Sequence, residues 1–147
     1  MSHSFSQNHI HLIFSTKDRA NSIPKEFLPR IWAYLGGICN NHQIAVLAAT
    51  GTENHVHLLF HLPPKMSLAE AVNLVKANSS KWMSEQGPPF RWQEGYGAFS
   101  VSFSALDATV QYIRTQEAHH RKISFEDEFR AILEKHRVAY DPKYLFG

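Results

Sequence analysis

The sequence has very little cysteine: Cys39 is the only one in 147 residues. A single cysteine excludes an internal disulfide and any zinc site built from several cysteines, and it is compatible with a reducing compartment. No stretch approaches the roughly 20 consecutive apolar residues of a membrane-spanning helix, and the N-terminus lacks the apolar core of a secretion signal. We therefore expect a soluble, cytoplasmic protein with no membrane partner.

Strong net charge is missing as well, since 15 Lys and Arg stand against 13 Asp and Glu for a formal charge of +2. Composition alone therefore does not indicate nucleic-acid binding, which would require a local basic surface. The chain also lacks a repeat, a low-complexity tract or a long linker, so one domain is expected over residues 1–147. The hydrophobic fraction of 44% is sufficient for a core.

The hydrophobic patterns predict elements in the order β-α-β-β-α-β-α-α. Strand patterns occupy residues 10–14, 43–50, 54–62 and 99–103. Helices are expected to begin near Pro24 and at three serine caps, and Gly36 and Gly37 weaken the end of the first helix; the caps are Ser67, Ser104 and Ser124. The first six elements predict an α+β, ferredoxin-like fold, as in RNA-recognition domains, with helices on one face of an antiparallel sheet. The other face is then available for a site.

The strand over residues 54–62 carries the first candidate ligands. His55 and His57 are two residues apart, so their side chains share a face with Cα atoms roughly 6.5 Å apart, and two imidazoles so placed can bind one metal ion. The pattern is weak by itself, because His9 and His11 repeat it. His61 also shares this face, but it lies too far along the strand to bind the same ion.

Tyr112 and Gln116 form the second candidate pair. Residues four apart on a helix stand one above the other, beside the buried stripe that Leu106, Val110 and Ile113 define. The ordinary interpretation is a half-buried tyrosine next to a solvent-facing glutamine. The functional one is a tyrosine nucleophile beside an amide metal ligand. Nitrogen and oxygen donors suit Mg²⁺ or Mn²⁺, and zinc fits less well.

A third set mixes cations with aromatic rings around the loop after the second helix. Stacking rings and phosphate-binding cations suit single-stranded nucleic acid. Each residue could equally be a core ring or a solvated charge. The candidate DNA-binding residues are Lys76, Lys81, Arg91, Trp92 and Tyr96.

Taken in order, four segments closely resemble the HUH single-tyrosine transposases, in which U is any hydrophobic residue. They are HLIFSTK at 11–17, GTENHVHLL at 51–59, WQEGYGAFSVS at 92–102 and YIRTQEAHH at 112–120. That family includes small insertion-sequence transposases and transposases associated with repetitive extragenic palindromes. The resemblance extends from about residue 9 to 145.

The resemblance implies a ferredoxin-like core, a homodimer, and binding of hairpin or single-stranded DNA. It implies a metal site at His55, His57 and Gln116 and a nucleophile at Tyr112, which would form a 5′-phosphotyrosine and leave a free 3′-hydroxyl. In the family, the metal-binding histidine pair follows a Gly-Thr turn, as His55 and His57 do here. We therefore expect changes at His9 and His11 to leave metal binding largely intact.

Two other functions remain compatible with the residues. A non-catalytic nucleic-acid-binding domain could share the fold, but it would need aromatic rings where the exposed strand face carries histidines. A metal-dependent phosphoesterase would use water instead of tyrosine and form no covalent adduct.

Overall fold

The computed structural model of the chain describes residues 4–87, 89–116 and 122–146. His119 and His120, at the end of the last family-like segment, and Arg121, which follows it, lie outside these ranges. Four strands form one antiparallel sheet in the order β2-β3-β1-β4: β1 (His9–Ser15), β2 (Ala45–Thr52), β3 (His55–His61) and β4 (Gly97–Val101). With a helix between β1 and β2 and another between β3 and β4, this is the predicted ferredoxin-like arrangement.

The main core lies between one face of the sheet and the helices α1 (Leu28–Asn41) and α2 (Leu68–Gln86). Leu12 of β1 and Leu58 of β3 are completely buried in it, together with Ile31 of α1. Alternation along each strand sends every second side chain into this core and the intervening ones to the opposite face.

That opposite face is covered as well. The helices α3 (Leu106–Arg114) and α4 (Phe125–Lys135) pack on it through two smaller apolar clusters. Leu106 and Ile113 of α3 lie in the cluster that contains Leu59, and Phe129 of α4 lies in the cluster that contains Ile13. The candidate site is therefore sandwiched between the sheet and the C-terminal helices.

Most of the local signals act as predicted. The hydroxyls of Ser67 and Ser124 accept hydrogen bonds from the backbone N–H groups three residues later and cap α2 and α4. The cap predicted at Ser104 is wrong: this residue lies inside a 3₁₀ turn (Phe103–Ala105), and α3 follows with Ala105 as its N-cap. No helix among the described residues is long and apolar enough to span a bilayer.

The first helix differs from its prediction at both ends. A 3₁₀ turn (Lys25–Phe27) follows Pro24, and the α-helix itself begins at Leu28. It continues through Gly36 and Gly37 to Asn41, because buried residues on both sides of the glycine pair anchor it to the sheet.

Candidate active site

A tight turn places the two histidines of β3. Gly51 pairs with Val56 across the β2–β3 hairpin, and a Cβ atom at Gly51 would stand 2.2 Å from the backbone oxygen of His55. A side chain cannot be accommodated there without moving the backbone. His55 and His57 are both 0% exposed, and both point to the face covered by α3 and α4, whereas Val56 lies in the main core.

The imidazole of His55 is held from the side of its Nδ1 atom. Nδ1 lies 2.9 Å from Thr52 Oγ1 and 2.8 Å from Asn54 Oδ1. Because Thr52 donates its own hydroxyl to the same Asn54 oxygen, this oxygen acts as an acceptor and Nδ1 carries the proton. The lone pair of His55 is then on Nε2, which lies 3.5 Å from Gln116 Oε1.

The imidazole of His57 is also contacted at both nitrogens. Its Nδ1 lies 2.8 Å from Nε2 of His11 on the neighbouring strand. Its Nε2 lies 3.2 Å from Oε1 of Glu128. The Nε2 atoms of His55 and His57 thus converge on one carboxylate oxygen, at 3.9 and 3.2 Å.

Glu128 of α4 is the site residue that sequence reasoning missed. It is only 2% exposed, and its second oxygen, Oε2, accepts a hydrogen bond from the Tyr112 hydroxyl. A signal was present in the sequence, because residues 125, 128, 129 and 132 follow helical spacing and Glu128 is the one charge in that apolar stripe. A buried carboxylate is costly unless it is paired, which makes such a residue a functional candidate.

Tyr112 lies on α3 with its ring centroid 6.0 Å from that of His57, whereas Gln116 lies beyond the end of this helix, which stops at Arg114. The prediction that one helix carries both residues is therefore wrong, although both side chains reach the candidate site. Gln116 is completely buried rather than solvent-facing, and its amide nitrogen donates to the Tyr112 carbonyl at 3.4 Å. Burial, the hydrogen bond to Glu128 and the charge of Glu128 raise the pKa of the Tyr112 hydroxyl well above its usual value of 10.0. Without a bound cation, the tyrosine is therefore held as the neutral phenol.

These groups fit a divalent ion. Nitrogen ligand atoms of His55 and His57 and a carboxylate oxygen of Glu128 all lie within 4.8 Å of one another. With the Gln116 oxygen nearby, the donor set is two imidazoles, one carboxylate and one amide. This set includes the three predicted ligands and adds a negative charge, which favours a hard cation such as Mg²⁺ or Mn²⁺.

The predicted DNA-binding residues lie apart from this centre. Lys76, Arg91, Trp92 and Tyr96 line a cavity of about 470 Å³ between α2 and the loop that precedes β4, whereas Lys81 is exposed on α2. Trp92 is 7% exposed, its ring packs edge-to-face on Phe14, and its Nε1 donates to Ser79 Oγ at 2.8 Å. Its ring is thus part of the core.

Lys76 holds the loop that borders this cavity. Its ammonium group donates to the carbonyls of Gln93, Glu94 and Gly95, and burial lowers its pKa to about 8. Since an ammonium has three N–H donors, these bonds use all of them. Arg91 and Tyr96 are more exposed and remain the better candidates for contact with nucleic acid.

The other histidines of the sheet differ in how close they lie to His55 and His57. His61 lies at the far end of β3, where its Nε2 is 3.1 Å from the Ser6 carbonyl and its ring contacts that of His9 with centroids 5.2 Å apart. His61 therefore lies outside the metal centre, as predicted. His11, by contrast, touches His57 directly.

The sequence and the fold are similar to those of known transposases. The family model for IS200-like transposases matches residues 4–116. The transposases for insertion sequence element IS200 from Salmonella typhimurium and Salmonella typhi are each 29% identical to this chain over 76 residues, 52% of this chain and 50% of the relative. The chain thus matches about half the length of these curated relatives.

Two solved structures share the fold. A candidate transposase from Deinococcus radiodurans R1 superposes with a TM-score of 0.63 at 22% identity, over 79% of this chain and 96% of that one. A REP-associated tyrosine transposase bound to a REP hairpin gives a TM-score of 0.62 at 12% identity, over 84% and 76% of the two chains. Because the family model covers most of the sequence and the histidine pair lies within the matched region, this chain belongs to the IS200-like transposase family.

Proposed function

We propose that this protein is a DNA transposase that cuts and rejoins single-stranded DNA through a covalent phosphotyrosine on Tyr112. One observation carries the proposal: the Tyr112 hydroxyl, the buried imidazoles of His55 and His57 and the carboxylate of Glu128 meet at one point. Membership of the family supports the same activity. We propose a single catalytic domain over residues 1–147.

The metal site would use Nε2 of His55, Nε2 of His57 and Oε1 of Glu128, with Gln116 Oε1 as a further ligand. A bound Mg²⁺ or Mn²⁺ would polarise the scissile phosphate and offset the charge that develops on its oxygens. Gln116 follows Tyr112 by four residues, just beyond the end of α3, so its attachment to this centre would help to fix the aim of the nucleophile.

The chemical step is a displacement at phosphorus. The Tyr112 oxygen forms a bond to the phosphorus atom, and the bond from phosphorus to the leaving 3′-oxygen breaks, which gives a 5′-phosphotyrosine and a 3′-hydroxyl. Glu128 Oε2 accepts the hydrogen bond of the attacking hydroxyl and is placed to take its proton. The leaving oxygen takes up a proton, and attack by that hydroxyl on the phosphotyrosine reverses the step.

A groove leads to the nucleophile from solvent. A cavity of about 600 Å³ between α3, α4 and β4 is lined by Tyr112 and Glu128 at its inner end and by Lys135 and His136. A cation beside an open groove suits a phosphate backbone. We therefore propose single-stranded DNA or the flank of a hairpin as substrate, in line with the REP hairpin bound by the structural relative.

We further propose a homodimer, which rests on the resemblance to the family. Within the single chain described, Gln116 Oε1 lies 3.5 Å from His55 Nε2, and the Tyr112 hydroxyl donates to Glu128. Light scattering at working concentration tests the dimer, and an active monomer would contradict it.

Adduct formation tests the proposed activity. The protein is incubated with Mn²⁺ and a hairpin that carries single-stranded flanks from the DNA next to its own gene, and the products are separated on a denaturing gel. We expect a covalent protein–DNA band with the wild type and none with Tyr112→Phe, which keeps the ring and loses the hydroxyl. A perfect duplex of the same sequence serves as the control substrate and should react poorly.

The alternatives predict different results. Cleavage without an adduct, unaffected by Tyr112→Phe, would identify a phosphoesterase that uses water. Binding of the hairpin with neither cleavage nor adduct would identify a non-catalytic binding domain. Either result would overturn the proposed transposase activity.

A further inference from the structure

We propose that His11 is a positioning residue for the metal site: by accepting a hydrogen bond from Nδ1 of His57, it holds the lone pair of His57 Nε2 toward the ion. The inference rests on the metal site proposed above. It assigns a role to a histidine that the sequence pattern left aside.

The strand register brings the two rings together. In the β1–β3 pairing, Ile13 is opposite His57 and His11 is opposite Leu59, so His11 and His57 are diagonal neighbours on the same face. Nε2 of His11 lies 2.8 Å from Nδ1 of His57, and the ring centroids are 5.1 Å apart. His57 is completely buried, and His11 is 7% exposed where it lines the groove that also contains Tyr112 and Glu128.

The contact between His11 and His57 matters because it determines which ring nitrogen of His57 carries the proton. A neutral imidazole carries one proton, so His57 can offer the Nε2 lone pair to a cation only when the proton is on Nδ1. That Nδ1–H then needs an acceptor, and His11 Nε2 provides one when the proton of His11 is on its own Nδ1. The Asn54 oxygen does the same for His55. Each of the two proposed ligands thus has an acceptor behind it, as is usual for metal-bound histidines.

His9 provides a natural comparison within the same strand. It shares a face with His11 and is equally buried, at 6% exposed, but its ring contacts His61 at the far end of the sheet. Its buried Nδ1 has no hydrogen-bond partner among the described residues. The expectation from sequence, that His9 and His11 are both dispensable for metal binding, is therefore revised for His11 and retained for His9.

Calorimetric titration with Mn²⁺ in the absence of DNA tests the proposal. His11→Phe keeps a ring of similar size but removes the acceptor, and we expect it to weaken Mn²⁺ binding by about 10–100-fold. His11→Gln supplies an amide oxygen as acceptor and should restore most of the affinity. His9→Phe is the matched control and should leave the affinity unchanged.

A spectroscopic signature complements the affinities. In the Mg²⁺-bound wild type, ¹⁵N NMR should find the proton of His57 on Nδ1, and this signal should weaken in His11→Phe. Circular dichroism of each variant checks that the fold is retained.

Three outcomes would overturn the assignment. Unchanged Mn²⁺ affinity in His11→Phe would show that the contact is dispensable. Equal losses in His11→Phe and His11→Gln would show that an acceptor at this position does not restore Mn²⁺ binding, so the hydrogen bond would not be the cause. Absence of Mn²⁺ binding by the wild type would remove the metal site itself, and with it the proposed chemistry, which is a different result from binding that ignores His11.

Discussion

The two faces of the sheet are equally buried, but one carries apolar side chains and the other carries imidazoles. On the apolar face, Leu58 and its neighbours pack against α1 and α2. On the imidazole face, His55 and His57 pack against α3 and α4. Leu58, His55 and His57 are each 0% exposed. Burial of apolar surface is favourable at about 25 cal/mol per Å². Burial of an imidazole or a carboxylate is unfavourable unless hydrogen bonds replace water.

Because burial on the imidazole face is costly for packing, it is consistent with the chemical role proposed for this face. Its polar groups are linked in one network that runs from His11 through His57 and Glu128 to Tyr112. An apolar face with the same geometry would pack at a lower cost. If the two faces divide stability and chemistry in this way, substitutions of adjacent residues on β3 should have separable effects.

The largest effect is expected on the imidazole face. His57→Ala removes a proposed metal ligand and the partner of both His11 and Glu128, so adduct formation should fall below detection and Mn²⁺ binding should weaken strongly. Denaturing gels and calorimetry measure the two effects. An adduct of normal yield would mean that the division between the faces is wrong.

The neighbouring residue on the apolar face should behave in the opposite way. Leu58→Ala leaves a cavity between the sheet and α2, and its cost should be about 2–5 kcal/mol of unfolding free energy, measured by urea denaturation. The protein that remains folded should bind Mn²⁺ with the wild-type affinity. A loss of affinity in the folded fraction would show that the two faces are coupled through the strand.

A smaller effect is expected from removing the charge of Glu128 within the network. Glu128→Gln removes a negative charge beside Tyr112 but keeps a group that can accept the hydrogen bond. In protein treated with chelator, Tyr112 should remain protonated above about pH 10, where a free tyrosine is half ionised. The variant should ionise at lower pH, and tyrosinate absorbance, referenced to Tyr112→Phe, measures the shift. An unchanged titration would leave burial and the hydrogen bond as the causes of the raised pKa of Tyr112, with no contribution from the charge of Glu128.

The sign of the linked stability effect follows from the same shift. Because the pKa of Tyr112 is higher in the folded than in the unfolded chain, its stabilising contribution is present below the unfolded value. It is lost as the pH rises through the folded value. Wild-type protein should therefore lose stability in alkali more steeply than Tyr112→Phe.

Local patterns were sufficient to predict the fold because alternation, helical stripes and serine caps are encoded within a few residues. Ser67 and Ser124 cap helices as expected, and the strand of His55 and His57 is close to its predicted bounds. The cap predicted at Ser104 was wrong because a 3₁₀ turn precedes α3, and cap patterns do not distinguish a 3₁₀ turn from the first turn of an α-helix.

The candidate site was only partly predictable, for a physical reason. His55 with His57, and Tyr112 with Gln116, are local pairs whose spacing indicates a shared direction. The contact of His57 with Glu128 joins positions separated by 71 residues, and it depends on how α4 docks on the sheet. No pattern within a few residues predicts this contact, although Glu128 can be noticed as the single acid in an apolar helical stripe.

The strand register of β3 also bears on folding fidelity. Side chains alternate along the strand, so a slip of one residue against β1 would turn Val56 and Leu58 toward Glu128 and send both imidazoles into the hydrocarbon core without acceptors. Such a sheet would lose its apolar packing and its metal ligands in the same event. A misregistered molecule would therefore be both unstable and without the proposed metal site, so the interactions that keep the chain folded also hold the candidate site together.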